Sequence, residues 1–151
     1  MKIVHYTTEY KEHCLSVFRS NIGPFFVLDE LSRYEAYLRV HALNLAYFVV
    51  LKKNDVVGCG GYAKKDTITT LSWGMVERSH HGESIGKQLL LYRLKAIYND
   101  FGNVPLSIDT SQQTQGFYQK YGFIPTKVEP DGYGKGIDKV YMEYHGDYLQ
   151  T

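Results

Sequence analysis

The chain has little of several things that mark specialised proteins. It carries only two cysteines, Cys14 and Cys59, with no C-x-x-C spacing. They read as reduced thiols of a cytoplasmic protein, used for packing rather than reactivity. Lys plus Arg number 17 against 16 for Asp plus Glu, a formal net charge of +1. That balance gives no electrostatic footprint for DNA or RNA. No apolar run reaches the ~20 residues needed to cross a bilayer. The opening segment Met1-Lys2-Ile3-Val4-His5 lacks the apolar stretch of a secretory leader. Repeats, linkers and low-complexity segments are missing too. The reading is therefore a single domain over residues 1–151, acting in the cytoplasm, with neither nucleic acid nor membrane as partner.

What is present is an ordinary globular composition, 44% hydrophobic and 22% charged, in a chain long enough to bury a real core. Tyrosine alone stands out, with 14 copies; most line the edge of a core and some face an aromatic or apolar cleft. Periodicity lays out the elements. Residues 3–6 form a short strand. Residues 9–20 read as a helix with Cys14, Leu15 and Phe18 on one side, broken by Asn21-Ile22-Gly23-Pro24. Asp29 is placed to cap a second helix, in which Leu31, Tyr34, Leu38 and Val40 recur at helical spacing. Strand runs at 47–51, 56–63 and 67–76, separated by Lys53-Asn54-Asp55 and Lys64-Lys65-Asp66, predict an antiparallel meander. A long helix over 85–100 carries two stripes, Ile85/Leu89/Tyr92/Ala96 and Leu90/Leu94/Ile97, and ends at Gly102. A strand over 104–109 and a helix over 112–121, stopped by Gly122, follow. The chain closes with a hairpin of 126–129 and 140–144 around a loop, 131–136, that reads as mobile or otherwise as a lid over a substrate. The order is β-α-α-β-β-β-α-β-α-β-β.

The most informative stretch is His81-Gly82-Glu83-Ser84-Ile85-Gly86-Lys87, which joins the strand ending at Val76 to the long helix. The first N–H groups of a helix lack intrahelical partners and its dipole favours an anion there, so a glycine turn at a helix start suits a pyrophosphate. The same residues spell G-x-S-x-G, the serine-hydrolase elbow, and Ser84, Asp109 and His145 follow in hydrolase order. An elbow, however, turns straight from strand into serine, whereas residues 77–83 intervene here. Gly58-Cys59-Gly60-Gly61-Tyr62-Ala63 fits the dinucleotide fingerprint G-x-G-x-x-A but lies inside a strand pattern, not at a helix start. It reads as a place where a strand packs closely or bulges. The adjacent His80 and His81 do not make a metal site, because sequence neighbours rarely face one ion.

A second motif, Ser111-Gln112-Gln113-Thr114-Gln115-Gly116-Phe117-Tyr118-Gln119-Lys120-Tyr121-Gly122-Phe123, ends in Phe-Tyr-x-x-x-Gly-Phe. Together with the turn and the element order, it resembles the GNAT (general N-acetyltransferase) superfamily over essentially the whole chain. The turn is similar to that family's motif A, [RQ]-x-x-G-x-[GA], and the second stretch to its motif B, N-x-x-A-x-x-[FL]-Y-x-x-x-G-F. This chain departs from both: His81 stands at the usual Arg/Gln, Ser84 at a motif glycine, Ser111 at an Asn and Thr114 at an Ala. If the turn requires positive φ at Ser84, serine costs about 1 kcal/mol there.

The resemblance implies an α/β (α+β) fold with a mixed, mostly antiparallel sheet and a splayed parallel strand pair that forms a cofactor cleft. It implies an acetyl-CoA-dependent N-acetyltransferase acting on the primary amine of a small molecule or peptide by direct attack, and it leaves room for a homodimer. Cofactor contacts are implied for Met75 and Val76, for the turn residues His81, Gly82, Glu83, Ser84, Ile85, Gly86 and Lys87, and for Ser111 and Tyr118. The Glu83 carboxylate is expected to point to solvent, away from the pyrophosphate, while Arg78, Lys87 and His80 are candidates for phosphate contacts. Tyr118 matches the family tyrosine that protonates the leaving thiolate; a phenol's ordinary pKa near 10 suits that donation. Glu77 and Asp109 are the carboxylates nearest the cleft and the candidate bases. Phe25, Phe26, Trp73 and Tyr133 would give the acceptor side an aromatic lining. A non-catalytic acyl-CoA-binding or regulatory module, and an esterase built on Ser84, are the other functions these residues can carry.

Overall fold

The protein is described by a computed structural model covering residues 1–150. Its strands are β1 (Lys2–His5), β2 (Ala46–Lys52), β3 (Asp55–Lys65), β4 (Ile68–Val76), β5 (Leu106–Thr110), β6 (Phe123–Gly134) and β7 (Ile137–Tyr144). They form one sheet in the order β1-β2-β3-β4-β5-β7-β6. Every pairing is antiparallel except β4 with β5. The α-helices are α1 (Lys11–Ser20), α2 (Glu30–Val40), α3 (Ile85–Phe101) and α4 (Gln115–Lys120). The order matches the sequence reading. No helix among the described residues is long and apolar enough to cross a membrane.

Strand alternation divides the core into two layers. On one face Cys14, Leu15, Val17 and Phe18 of α1 and Tyr34 and Leu38 of α2 pack on Tyr47, Val49, Cys59 and Met75. On the other, Leu90, Leu94 and Ile97 of α3 and Tyr118 of α4 pack on Phe48, Tyr62, Leu71, Leu106, Ile108, Val140 and Met142. The meander holds because each turn residue tolerates its backbone: Lys53 and Asn54 take φ of 52° and 69°, the two-residue hairpin geometry whose twist matches the strands. Gly102 stops α3 at φ 75°, its N–H donating to Tyr98 O at 2.8 Å.

Several expectations are corrected. Asp29 makes no side-chain cap; the Glu30 carboxylate accepts the Val27 N–H instead, at 3.1 Å, because Asp29 already has helical dihedrals and cannot reach back. Val40 is exposed. The first helix begins with a short 3-10 turn, Thr8–Tyr10. Residues 112–114 are a turn rather than helix, since the Thr114 and Gln115 N–H groups both fold back to Ser111 O. Tyr92 stands at the surface, and Arg93 is buried in its place at 2% exposure. The largest correction concerns 131–136. β6 runs through Asp131 to Gly134, and the turn is pinned. Asp131 N–H donates to Asp138 Oδ1 and Gly136 N–H to Asp131 Oδ1, while the Gln112 amide bridges Gly136 O and the Asp138 N–H. Gly134 also packs so closely on Val27 that a Cβ there would lie 2.6 Å from its Cγ1.

The glycine cluster in β3 is structural, as read from its position. The β3–β4 register runs Cys59↔Met75 and then Gly61↔Ser72, so Trp73 and Gly74 together oppose Gly60, a β-bulge. Trp73 takes φ 45°, an outlier for a bulky residue. A Cβ on Gly61 would sit 2.0 Å from Ala46 O and 2.8 Å from Tyr47 Cδ1. Gly61→Ala is therefore expected to lower the unfolding free energy by about 3 kcal/mol, measured by urea denaturation. Gly116→Ala, in open space within α4, should gain about 0.5–1 kcal/mol and serves as the control.

Candidate active site

β4 and β5 share only the pairs Thr69↔Leu106 and Thr70↔Ser107. Beyond them β5 continues against β7 and β4 against β3, so the two parallel strands part. The Glu77 N–H donates to Val57 O at 2.8 Å. By antiparallel alternation, Met75 then exchanges hydrogen bonds with Cys59, and Val76 turns its own N–H and C=O to the open edge. Val76, rather than Met75, is the residue whose backbone faces the gap.

The Val76 carbonyl is already well used. It accepts Asn21 Nδ2 at 2.9 Å and bonds His81 Nε2 at 2.8 Å, so His81 carries its proton on Nε2. A carbonyl has two lone pairs, which leaves the N–H as the free backbone group of Val76. The His81 ring meets Phe25 edge-on at 5.2 Å between centroids.

After β4 the chain makes the 3-10 turn Arg78–His80, capped by the Glu77 carboxylate, which accepts the Ser79 N–H at 2.8 Å and the Ser79 hydroxyl. Gly82 follows at φ 88° and Ser84 at φ 66°, the left-handed conformation that the motif glycine would have adopted without strain. Among the described residues the first intrahelical bond of α3 is Gln88 N–H to Ser84 O, 3.1 Å. The N–H groups of Ile85, Gly86 and Lys87 precede that ladder and point out of the helix start. Glu83 is exposed, as expected, and is tied down at the surface. Its Oε1 meets Lys52 Nζ at 2.6 Å and His80 Nδ1 at 3.0 Å, and the bond from Lys52, then that from His80, holds the carboxyl below its ordinary pKa. This ties the turn to the end of β2.

Three elements meet at the same gap. A Cβ on Gly86 would lie 3.6 Å from the Phe117 ring and 3.7 Å from Val76 Cγ2, so the start of α3, the end of β4 and α4 meet there. Tyr118 is 7% exposed, its ring edge-on to Phe117 and Phe123. Ser111, buried, accepts the Gln113 N–H on its hydroxyl at 3.2 Å. Asp109, near the end of β5, accepts the Tyr133 hydroxyl. Burial, and then the Asp109 charge, push the Tyr133 phenol far up, so it stays a donor. Phe26 stacks on Phe18 at 4.7 Å, and Trp73 lies 5.0 Å from Tyr34. Both belong to the core under the gap more than to its wall.

The sequence profile of the acetyltransferase (GNAT) domain matches residues 24–145. The chain belongs to the GNAT acetyltransferase family. No curated protein matches it in sequence. Among solved structures, a GNAT-family protein from Desulfovibrio desulfuricans is 19% identical, TM-score 0.78, covering 94% of this chain and 96% of that one. An aminoglycoside 6'-N-acetyltransferase complexed with coenzyme A is 16% identical, TM-score 0.72, with 95% and 96% covered. A ribosomal-protein-alanine N-acetyltransferase from Brucella melitensis is 17% identical, TM-score 0.75, with 95% and 98% covered. At these identities the likeness is one of fold.

GNAT proteins use acetyl-CoA, and the residues at the gap fit such an arm. An unpaired strand edge offers the Val76 N–H, a helix start offers three free N–H groups, and Arg78 and Lys87 are exposed beside it. The residues that would form the Ser84 esterase are not brought together. Asp109 is bonded to Tyr133, and His145 faces Glu143 at 3.6 Å. Sequence reasoning missed Asn21, 2% exposed, because a lone Asn in a helix-breaking tetrapeptide reads as punctuation. Its Nδ2 bonds Val17 O and Val76 O, both at 2.9 Å, and so locks α1 to the end of β4. Asn21→Ala should cost about 1–2 kcal/mol, because the Val17 and Val76 carbonyls each lose one of two donors and the α1–β4 link is cut; thermal and urea unfolding measure it.

Proposed function

We propose that this GNAT chain moves an acetyl group from acetyl-CoA to the primary amine of a small molecule or peptide, by direct attack with both bound. The observation that carries the reading is the parting of β4 from β5 directly beside the α3 turn. Bound acetyl-CoA would supply the acetyl group as an activated thioester. The Val76 N–H would pair with its amide-bearing arm. The N–H groups of Ile85, Gly86 and Lys87 would face its phosphates, with Arg78 and Lys87 adding charge. The Tyr118 hydroxyl would give its proton to the leaving sulfur.

Of the two candidate bases we favour Asp109 for taking the amine's proton. It lies near the end of β5 with a single hydroxyl bond from Tyr133. The Glu77 carboxylate is held by two donors as the cap of its own turn. The acceptor side, with Phe25 and Tyr133 at its edge, suits an amine on a partly apolar body. A drug-like amine and a peptide N-terminus both meet that description.

Calorimetry with acetyl-CoA, CoA and NADH tests the cofactor: both CoA species should bind and NADH should not. Gly86→Asp should abolish that binding by bulk and like-charge repulsion. A panel of amines with a thiol-detecting dye tests turnover; release of thiol with no amine would point away from an N-acetyltransferase, and binding without any release would point to a non-catalytic module. Tyr118→Phe should lower kcat about 10²-fold at neutral pH with little change in the acetyl-CoA KM, because the hydroxyl matters as charge develops on sulfur. An unchanged single-turnover rate would return Tyr118 to packing.

A further inference from the structure

Arg93 is 2% exposed, halfway along α3. No carboxylate lies within ion-pair distance of it among the described residues. One bond is made, from Nη1 to Gly61 O at 3.3 Å, while Nε has no partner. Burying an unpaired guanidinium is unfavourable, and an apolar side chain of similar length would fold more cheaply there. Two glycines clear its place. A Cβ on Gly74 would lie 3.0 Å from both Nη1 and Nη2, and one on Gly60 3.2 Å from Nη1. The guanidinium therefore turns its Nη edge onto the bulge of β4, against Gly74, just before the open edge at Val76.

The opposite side of that bulge is held as well. Tyr47 donates its hydroxyl to Trp73 O at 2.8 Å. Tyr34 therefore donates to Tyr47, also at 2.8 Å, and lies 3.2 Å from Cys59 Sγ. Burial raises both phenols well above their ordinary range, so they act only as neutral donors. Neutral groups fix the bulge from the α1/α2 side, and a cation fixes it from the α3 side.

We propose that Arg93 is a positioning residue for acetyl transfer, whose buried guanidinium clamps the β4 bulge and sets a fixed positive charge behind the strand edge beside which the thioester carbonyl would lie. This rests on the acetyltransferase reading above. A positive charge in a water-poor site stabilises negative charge growing on a nearby oxygen, and being fixed in advance it needs no reorganisation. Its effect belongs to the transition state more than to cofactor binding.

Arg93→Met keeps the stem and removes the charge; Arg93→Lys keeps the charge and loses the fork. For Arg93→Met we expect kcat to fall about thirtyfold, the acetyl-CoA Kd from calorimetry to stay within about twofold, and the melting temperature to hold or rise. Arg93→Lys should recover most of the rate. The 13C resonance of acetyl-CoA labelled at the acetyl carbonyl, bound without acceptor, should move towards its free value in Arg93→Met and stay near the wild-type value in Arg93→Lys. Full activity and an unmoved carbonyl resonance in Arg93→Met would overturn the inference while leaving the acetyltransferase reading intact. So would a lowered melting temperature with kcat and Kd weakened together, the signature of a merely structural residue. If Arg93→Met fails to fold, the rate and resonance of Arg93→Lys decide: loss of both overturns the proposal. Failure of the wild-type protein to bind acetyl-CoA would instead remove the acetyltransferase reading itself.

Discussion

Two register pairs between β4 and β5 are the constraint on which the site depends. Parallel strands would gain by pairing further, and here they stop at Thr70 and Ser107. The bulge explains why. Placing Trp73 and Gly74 opposite Gly60 re-aims the remainder of β4, and a tryptophan at φ 45° is held in that state by bonds and packing on both sides of the sheet. The unpaired edge that results would be a liability on a free surface. Here it opens between α4 and the start of α3, where it can be used for pairing with an extended, amide-bearing arm.

The same constraint accounts for polar bonds both inside the fold and at its surface. Asn21 fastens α1 to Val76 O, Tyr47 of β2, itself bonded by Tyr34 of α2, fastens Trp73 O, and Glu83 fastens the phosphate-type turn to β2 through Lys52. Each bond ends on β4 or on the turn that follows it. A chain that needed only a stable sheet would have little use for them, since apolar packing fills the two layers well.

The architecture was legible in the sequence because its signals are local and redundant. The strand runs at 47–51 and 56–63 bounded by turn residues, the stripes of α3, and Gly102 and Gly122 as helix stops each follow from nearest-neighbour geometry. The turn at 81–87 was legible for the same reason, including the left-handed conformation imposed on Ser84. What could not be read depends on partners far apart in the chain. Arg93 stands next to a hydrophobic stripe and looks like a surface residue until Gly60 and Gly74 are brought under it. The trace it left was the glycine cluster itself. The hairpin loop looked mobile because Gly132, Gly134 and Gly136 suggest freedom, yet Gln112 and Asp138 pin it from outside the segment. Glu83 is exposed as expected, but its tie to Lys52, thirty-one residues away in sequence, could not be read.

Amide hydrogen exchange at Val76, Ile85, Gly86 and Lys87, with and without acetyl-CoA, tests the central claim most directly. Before addition these N–H groups should exchange readily, since neither a strand nor a helical turn takes them up. Saturating acetyl-CoA should slow all four together, while the Met75 amide, already paired with β3, changes little. Protection that appears elsewhere and leaves Val76 and the α3 start unchanged would contradict the account, because the cofactor would then lie outside the gap between β4 and β5.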